Sequence, residues 1–179
     1  MAFEMKLVSE LMITLDLYPQ VKEKDTLFGA IKAMQDACEI GDEQWRGLPR
    51  VLLVFNDENV LVGLLRRRDI MRGLEPNFLR HKEMDYRKKL WDVQIDPNLS
   101  EISYEKMIEG ICEQTAIEVS TLMRPINAWV DCNDHMMKAI YEMVDNNLSI
   151  LPVLDGDKVV GVLRSVEVFR EAAEFVMSK

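Results

Sequence analysis

Three short sequence motifs occur twice in this chain, in the same order each time. An internal repeat of this kind predicts two copies of one structural unit, because each copy carries the same apolar pattern. Three matches in one order are hard to attribute to chance. The matches are VSELM at 8–12 with VSTLM at 119–123, AIKAM at 30–34 with AIYEM at 139–143, and VGLLR at 62–66 with VGVLR at 160–164.

Each copy contains an amphipathic helix that follows an aspartate. Asp25 is the expected N-cap of the first helix, because its carboxylate can accept a hydrogen bond from a backbone N–H of the first turn. Asp134 stands at the same place in the second copy. Apolar residues at helical spacing follow both acids and predict one buried face on each helix. They are Leu27, Ala30, Ile31, Met34 and Cys38 in the first copy, and Met136, Ala139, Ile140 and Met143 in the second.

Two apolar runs then follow in each copy, separated by a polar turn at 56–59 or at 155–157. An Asp-Gly pair between apolar runs is a strong signal for a hairpin, since glycine tolerates the positive φ of a tight turn. Continuous apolar runs predict strands that are covered on both faces. A closing helix follows, with Ser165 as its expected cap in the second copy. Each copy therefore predicts the order strand, helix, strand, strand, helix.

The repeats define the expected organisation of the chain. The first unit covers 5–75, with an extra loop at 37–49, and the second covers 118–179. A unit of about 60 residues buries only a modest core, so we expect the two to pack sheet against sheet around a pseudo-two-fold axis. The fold class is α+β, with an insert at 76–117 between the units.

The insert is expected to be helical. Its earlier part, around 78–91, is the more polar. Its later part, from Ser103, places an apolar stripe on one helical face. Trp91 and Tyr104 need cover, which packing on the repeat pair or on a second subunit would give. The stripe consists of Tyr104, Met107, Ile108, Ile111 and Cys112.

Composition and charge exclude several classes of function. No run approaches the roughly 20 apolar residues of a membrane span, and no signal peptide is recognisable, which favours a cytoplasmic protein. A net charge of −9 opposes binding to nucleic acid. Three well-separated cysteines and two histidines give no disulfide framework and no metal-ligand spacing. No grouping of nucleophile, histidine and acid is present, so an enzyme is not expected.

Taken together, the paired Leu-Met starts, the Asp-led Ala-Ile-x-x-Met helices and the strand-Gly-strand ends resemble a tandem pair of cystathionine-β-synthase (CBS) domains, also called a Bateman module. The Leu-Pro-Val strand at 151–153 is also typical of that family. The resemblance covers 5–75 and 118–179. It implies two βαββα units that often assemble into a homodimer, and it implies no catalysis.

The resemblance also implies a ligand and a place for it. CBS pairs bind AMP, ADP, ATP or S-adenosylmethionine in clefts between the repeats and report the cell's state to an effector protein. The family's signature is Gly-x-x-Thr/Ser-x-x-Asp where the last strand meets the last helix. There a helix N-terminus and a hydroxyl meet phosphate, and the acid meets ribose. The nucleotide-binding candidates at these junctions and in the leading segments are Asp69, Arg66, Arg67, Thr14, Arg164, Ser165, Glu167 and Arg124.

Both copies depart from this signature. Arg66 and Arg164 replace the hydroxyl residue, and Glu167 replaces the aspartate. An arginine could bind phosphate through its forked N–H groups, or its bulk could fill the cleft. The first reading predicts a stand-alone regulatory module that binds an adenine nucleotide and signals to a partner protein. The second predicts a ligand-free dimerisation or scaffold protein that uses the pair and its helical insert.

Overall fold

The computed structural model describes residues 6–39, 49–76 and 104–178. Within them the chain forms two small sheets, each with helices packed against it. Most of the predicted extra loop, and all of the earlier part of the insert around 78–91, lie outside the described residues.

Both units have the predicted strand, helix, strand, strand, helix order. The first contains β2 (Gln20–Lys22), α2 (Leu27–Glu39), β3 (Val51–Phe55), β4 (Leu61–Arg66) and α3 (Arg67–Gly73), preceded by α1 (Val8–Leu11) and β1 (Ile13–Thr14). The second contains β5 (Val130–Asp131), α5 (Met136–Asp145), β6 (Ile150–Asp155), β7 (Lys158–Arg164) and α6 (Ser165–Met177), and the insert helix α4 (Tyr104–Gln114) precedes it.

The sheets have the order β2-β3-β4 and β1-β7-β6-β5. In each unit the first strand runs parallel to the second, and the second and third form an antiparallel hairpin. Gly156 has the positive φ predicted for its turn, at 59°, and Asn59 adopts the same φ in the turn of the first unit. All five residues of β3 are buried, which confirms that this apolar run is covered on both faces.

The expected cap at Asp25 is wrong. Its Oδ2 accepts a hydrogen bond from the backbone N–H of Lys22 at 2.7 Å, so the carboxylate closes the turn between strand and helix. The hydroxyl of Thr26 caps α2 instead, accepting from the N–H of Gly29 at 3.3 Å. Asp134 makes the matching bond with the backbone N–H three residues before it, at 2.8 Å. The repeated aspartate is therefore a turn residue, which lies one position too early to cap the helix.

The cap predicted at Ser165 is also wrong, because this residue is the first of helix α6. Its backbone N–H donates to the carbonyl of Ser149 at 2.9 Å, which ties the helix start to the strand beside it. The capping position belongs to Arg164, whose side chain makes no capping bond.

The segments that lead the two units are exchanged. The backbone N–H of Val8 donates to the carbonyl of Asp134 at 2.8 Å, and that of Val119 donates to the carbonyl of Asp25 at 2.9 Å. The leading segment of each repeat, which contains the Leu-Met pair, thus binds to the other repeat. The exchange continues along β1, which pairs antiparallel with β7 and joins the second sheet.

The matching contact in the first sheet is a two-way backbone pair between Leu64 and Arg124, with N–O distances of 2.9 and 2.8 Å. A glycine stands beside each crossing segment. A Cβ on Gly63 would lie 2.9 Å from the Arg124 carbonyl oxygen, and a Cβ on Gly161 would lie 2.4 Å from the carbonyl oxygen of Ile13. The two glycines of the repeated motif therefore allow the backbones to approach closely.

The hydrophobic core reflects the same exchange. Val8 is fully buried in the core of the second unit, and Val119 in the core of the first. A third cluster joins the two units face to face. Its buried members are Tyr18, Val51, Leu53, Phe55, Leu64, Ile150 and Val162.

Helix α4 confirms the helical prediction for the later insert, but the described residues leave much of its apolar stripe exposed. Tyr104 is 75% exposed and Ile108 is 43% exposed, and Cys112 is also on the surface. Among the described residues, no helix is long and apolar enough to cross a membrane.

The crossing of β1 over β7 generates a stability prediction. Substitution Gly161→Ala should destabilise the fold by about 1–3 kcal/mol, because the new methyl group would collide with a backbone carbonyl that is held in a sheet. Urea unfolding would measure the loss. Gly29→Ala is a matched control, since its Cβ would have no neighbour closer than 3.8 Å and alanine favours a helix, giving a gain of up to about 1 kcal/mol. Equal stability of Gly161→Ala and the parent would contradict the close crossing.

Candidate functional site

The carboxylate of Asp69 is the centre of a charged cluster where β4 meets α3. Arg66 holds it with two bonds, from Nε to Oδ2 at 2.7 Å and from Nη2 to Oδ1 at 3.0 Å. Nε of Arg124 adds a third bond to Oδ1 at 3.3 Å. Because Arg124 belongs to the segment that leads the second repeat, the cluster spans both units.

Burial differs sharply within this cluster. The side chain of Asp69 is only 4% exposed, whereas those of Arg66 and Arg124 are 40% and 49% exposed. Burial opposes ionisation of the carboxyl, but the hydrogen bonds from the two arginines outweigh it and hold the pKa of Asp69 below its usual value. Asp69 is thus a buried, charged carboxylate that fixes the positions of the two arginines, and the guanidinium groups are partly exposed to solvent.

The two arginines that follow Arg66 lie on the surface. Arg67 and Arg68 are exposed in the first turn of α3, and the backbone N–H of Arg67 donates to the carbonyl of Arg50 at 2.9 Å. Their side chains add positive charge beside the cluster without making the contacts that define it.

The second repeat has a smaller version of the cluster. Arg164 holds Glu167 with two bonds, from Nε to Oε2 at 2.9 Å and from Nη2 to Oε1. Tyr18 lies near this pair and is buried, and burial raises its pKa. Thr14, from the exchanged β1, pairs with Gly161 and so lies on the second sheet.

The crossing segments make the two clusters different. Arg124 stands opposite Leu64 in the first sheet, and Ile13 stands opposite Val162 in the second. The first cluster therefore has two arginines around one acid, whereas the second has one arginine on one acid and an apolar residue at the crossing position. Excess positive charge accumulates only at the first of these two sites.

The structure regroups the residues singled out from the sequence. Asp69, Arg66 and Arg124 come together at the first cluster. Arg164 and Glu167 form the second, with Ser165 at the adjacent helix start. The contact between Asp69 and Arg124 was missed by sequence reasoning, because it depends on the exchange of leading segments. The signal available was the identical glycine in both VG-x-LR motifs, which marks a close backbone approach.

A cavity of about 410 Å³ lies elsewhere, at the turn end of the first sheet, whereas Arg66 ends β4 at the opposite end. Its polar groups already have partners within the chain. Lys22 donates to Asn59 Oδ1 at 2.6 Å, and Gln20 donates to the carbonyl of Leu15 at 2.7 Å. This cavity carries less charge excess than the first cluster, and we place the candidate site at Asp69.

The first cluster is suited to bind an anion. Within the described residues, the side-chain hydrogen bonds of Arg124 use only Nε and those of Arg66 use Nε and Nη2. Remaining N–H groups on both guanidiniums can therefore donate to a phosphate while Asp69 still fixes their positions.

Comparison with known proteins identifies the repeat. A family model described as the CBS domain matches residues 8–76 and 119–174. Among curated proteins, no sequence matches the chain.

Solved structures of CBS domains have the same fold. The CBS domain of a membrane protein from Sphaerobacter thermophilus is 18% identical, with a TM-score of 0.64 over 94% of this chain and 89% of that one. The CBS-pair protein CBSX2 from Arabidopsis thaliana is also 18% identical, with a TM-score of 0.63 over 97% of this chain and 99% of its own. A structure of CBSX2 in complex with AMP is 19% identical, with a TM-score of 0.59 over 94% and 97%.

The buried carboxylate of Asp69 predicts that its substitution lowers the stability of the fold by an amount that depends on pH. Asp69→Asn should cost about 1–3 kcal/mol near neutral pH, because it removes the ionised acceptor of three hydrogen bonds. A carboxyl whose folded pKa is lowered stabilises the protein above its unfolded pKa, and this contribution is lost as the pH falls through the folded value. The gap between parent and variant should therefore narrow in acid, below about pH 4.

Chemical unfolding at pH 7 and pH 3 would measure this gap. Asp57→Asn is the control, since this acid pairs with Lys24 on the exposed surface and the pair is screened by water. A gap for Asp69→Asn that stays constant with pH would contradict the role of its charge.

Proposed function

The chain belongs to the CBS domain family, and from this premise and the geometry of the first cluster we propose that it is a regulatory module that binds a phosphate-bearing adenine nucleotide. Arg66 and Arg124 bind the phosphates, and the bound state is passed to a partner protein. The observation that supports this most directly is the pair of half-exposed arginines braced on one buried carboxylate. The module has no catalytic role in this proposal.

Charge selects among the nucleotides. Two guanidiniums around one carboxylate favour a ligand that brings negative charge, and Arg67 and Arg68 add to the local field. AMP, ADP and ATP carry such charge, and CBSX2, which shares the fold, has been crystallised with AMP. S-adenosylmethionine carries a sulfonium cation and no phosphate, so the cluster disfavours it.

The position of Arg124 suggests how binding is reported. Its backbone pairs with Leu64 of the first repeat, and its side chain bonds to Asp69 of the same repeat. A phosphate bound to Arg124 and Arg66 therefore contacts both units and strengthens the interface between them at this point. Binding then favours one relative placement of the units, and a partner that distinguishes the placements reads the signal.

Nucleotide binding can be tested with two arginine variants. Arg66→Ala and Arg124→Ala should each weaken ATP binding by about ten-fold or more, because each loses charge-assisted hydrogen bonds worth roughly 1.5–3 kcal/mol. The affinity for adenosine, which has no phosphate, should change much less. Isothermal titration calorimetry would give both affinities, and ATP at 100 times its dissociation constant would raise the stability by about 2.7 kcal/mol in a thermal-shift assay.

Lys24→Ala is the matched control, because this exposed lysine pairs with Asp57 at the turn end of the first sheet, whereas Arg66 lies at the opposite end. The control should bind ATP as the parent does. No response of the parent to AMP, ADP or ATP would refute nucleotide binding, and equal losses for ATP and adenosine would refute the phosphate role of the two arginines.

A second candidate function is that of a homodimeric scaffold. The packed helices α5 and α6 carry large apolar side chains on their outer surface: Tyr141 is 63% exposed, Val144 76%, Phe169 73% and Val176 70%. Exposed apolar groups on adjacent helices are typical of an interface, and a two-fold dimer would bury the same face of both copies. This surface is compatible with nucleotide binding at the first cluster and could serve without it.

The scaffold hypothesis predicts that Phe169→Glu shifts a homodimer towards monomer, since the substitution places a charge within the apolar face. Light scattering after size-exclusion chromatography would give the mass of both proteins. Lys24→Ala again serves as control and should keep the parent's mass, because Lys24 lies on the surface of the first unit and outside this apolar face. A parent that is monomeric at high concentration would rule out this dimer.

A further inference from the structure

The geometry points to recognition of a nucleotide through its phosphates, with no hydrogen bond from Asp69 to the ribose. Asp69 is instead a positioning residue for Arg66 and Arg124. This specificity rests on the nucleotide binding proposed above. The site would then accept ribonucleotides and 2′-deoxynucleotides alike. The resemblance to CBS pairs implies the opposite, namely that the acid at this position binds the ribose hydroxyls.

The first observation is that the carboxylate of Asp69 is already engaged. Both of its oxygens accept hydrogen bonds, Oδ2 from Arg66 and Oδ1 from both Arg66 and Arg124. A carboxylate has about four acceptor positions, so three of them are in use.

The second observation is that a sugar has no route to this acid without breaking those bonds. The side chain of Asp69 is 4% exposed and lies beneath guanidiniums that are 40% and 49% exposed. A ribose hydroxyl would have to displace Arg66, replacing a bidentate contact between opposite charges with hydrogen bonds from a neutral donor, and it would leave the guanidinium without its carboxylate. The exchange is unfavourable, so the arginine stays on the acid.

The second repeat has the same arrangement. Glu167 lies three residues after Arg164 and is held by two bonds from it, with side chains 20% and 14% exposed. The replacement of the hydroxyl residue by arginine in both copies thus has the same structural result, a paired acid. The acid's task in the first cluster is to orient donors, and those donors face the solvent.

Comparison of ATP with 2′-deoxy-ATP tests this specificity on the unmodified protein. We expect the two dissociation constants to agree within about two-fold, because they share every phosphate. A site whose carboxylate accepted both ribose hydroxyls would lose a hydrogen bond to a charged group with the deoxy ligand and bind it about ten-fold or more weakly. Such a preference for ATP would overturn the inference and leave the nucleotide-binding proposal standing.

Tripolyphosphate separates the two proposals further. It should compete with ATP, because it offers the same groups to Arg66 and Arg124. If ATP, 2′-deoxy-ATP and tripolyphosphate all leave the melting temperature unchanged, the nucleotide-binding proposal fails, and the inference about the ribose fails with it.

Substitution of Asp69 gives a second readout, the relative affinity for ATP and 2′-deoxy-ATP, in addition to stability. Asp69→Asn should weaken ATP and 2′-deoxy-ATP by the same factor, since both rely on arginines that the variant no longer positions. If Asp69 bound the ribose, the variant would lose affinity for ATP selectively and erase a difference between the two ligands. Asp69→Glu should restore binding, because Arg164 and Glu167 show that an arginine holds a glutamate at this spacing. Circular dichroism would confirm that both variants are folded.

Discussion

The two repeats hold each other together by exchanging their leading segments. Each unit begins with a short helix and an extended segment that bind to the other unit through backbone hydrogen bonds. Val8 and Val119 complete the cores of the opposite units. A third apolar cluster then joins the two sheets. The pair is therefore a single folding entity in which neither repeat contains all of its own core, as expected for units too small to bury enough apolar surface alone.

The same exchange makes the two candidate sites unequal. Because the crossing segments differ in sequence, one brings Arg124 to the acid of the first repeat and the other brings Ile13 to the second. The first site gains a second cation from across the seam, whereas the second is a neutral pair beside the buried Tyr18. Two similar repeats thus provide one cationic site and one nearly neutral site. The difference arises because the exchanged segment carries Arg124 in one case and Ile13 in the other.

Much of this fold was predictable from the sequence because apolar periodicity reports local structure directly. The repeat, the hairpin with Gly156 and the buried strand at 51–55 follow from patterns within a few residues of one another. The exchange was not predictable, since an apolar segment does not specify which of two similar sheets it will join. At the site, the departures at Arg66 and Arg164 were visible in the sequence. Whether such an arginine fills a cleft or holds the nearby acid depends on side-chain geometry.

The pairing of β1 with β7 also has a consequence for how the chain must assemble during its synthesis. Ile13 leaves the ribosome well before its partner Val162, which lies 149 residues further along the chain (162 − 13). The β1 segment is apolar and has to stay unpaired until β7 has been made. Contacts so distant in sequence close slowly, so we expect the second sheet to form late, with the β1 segment vulnerable to wrong partners in the interval.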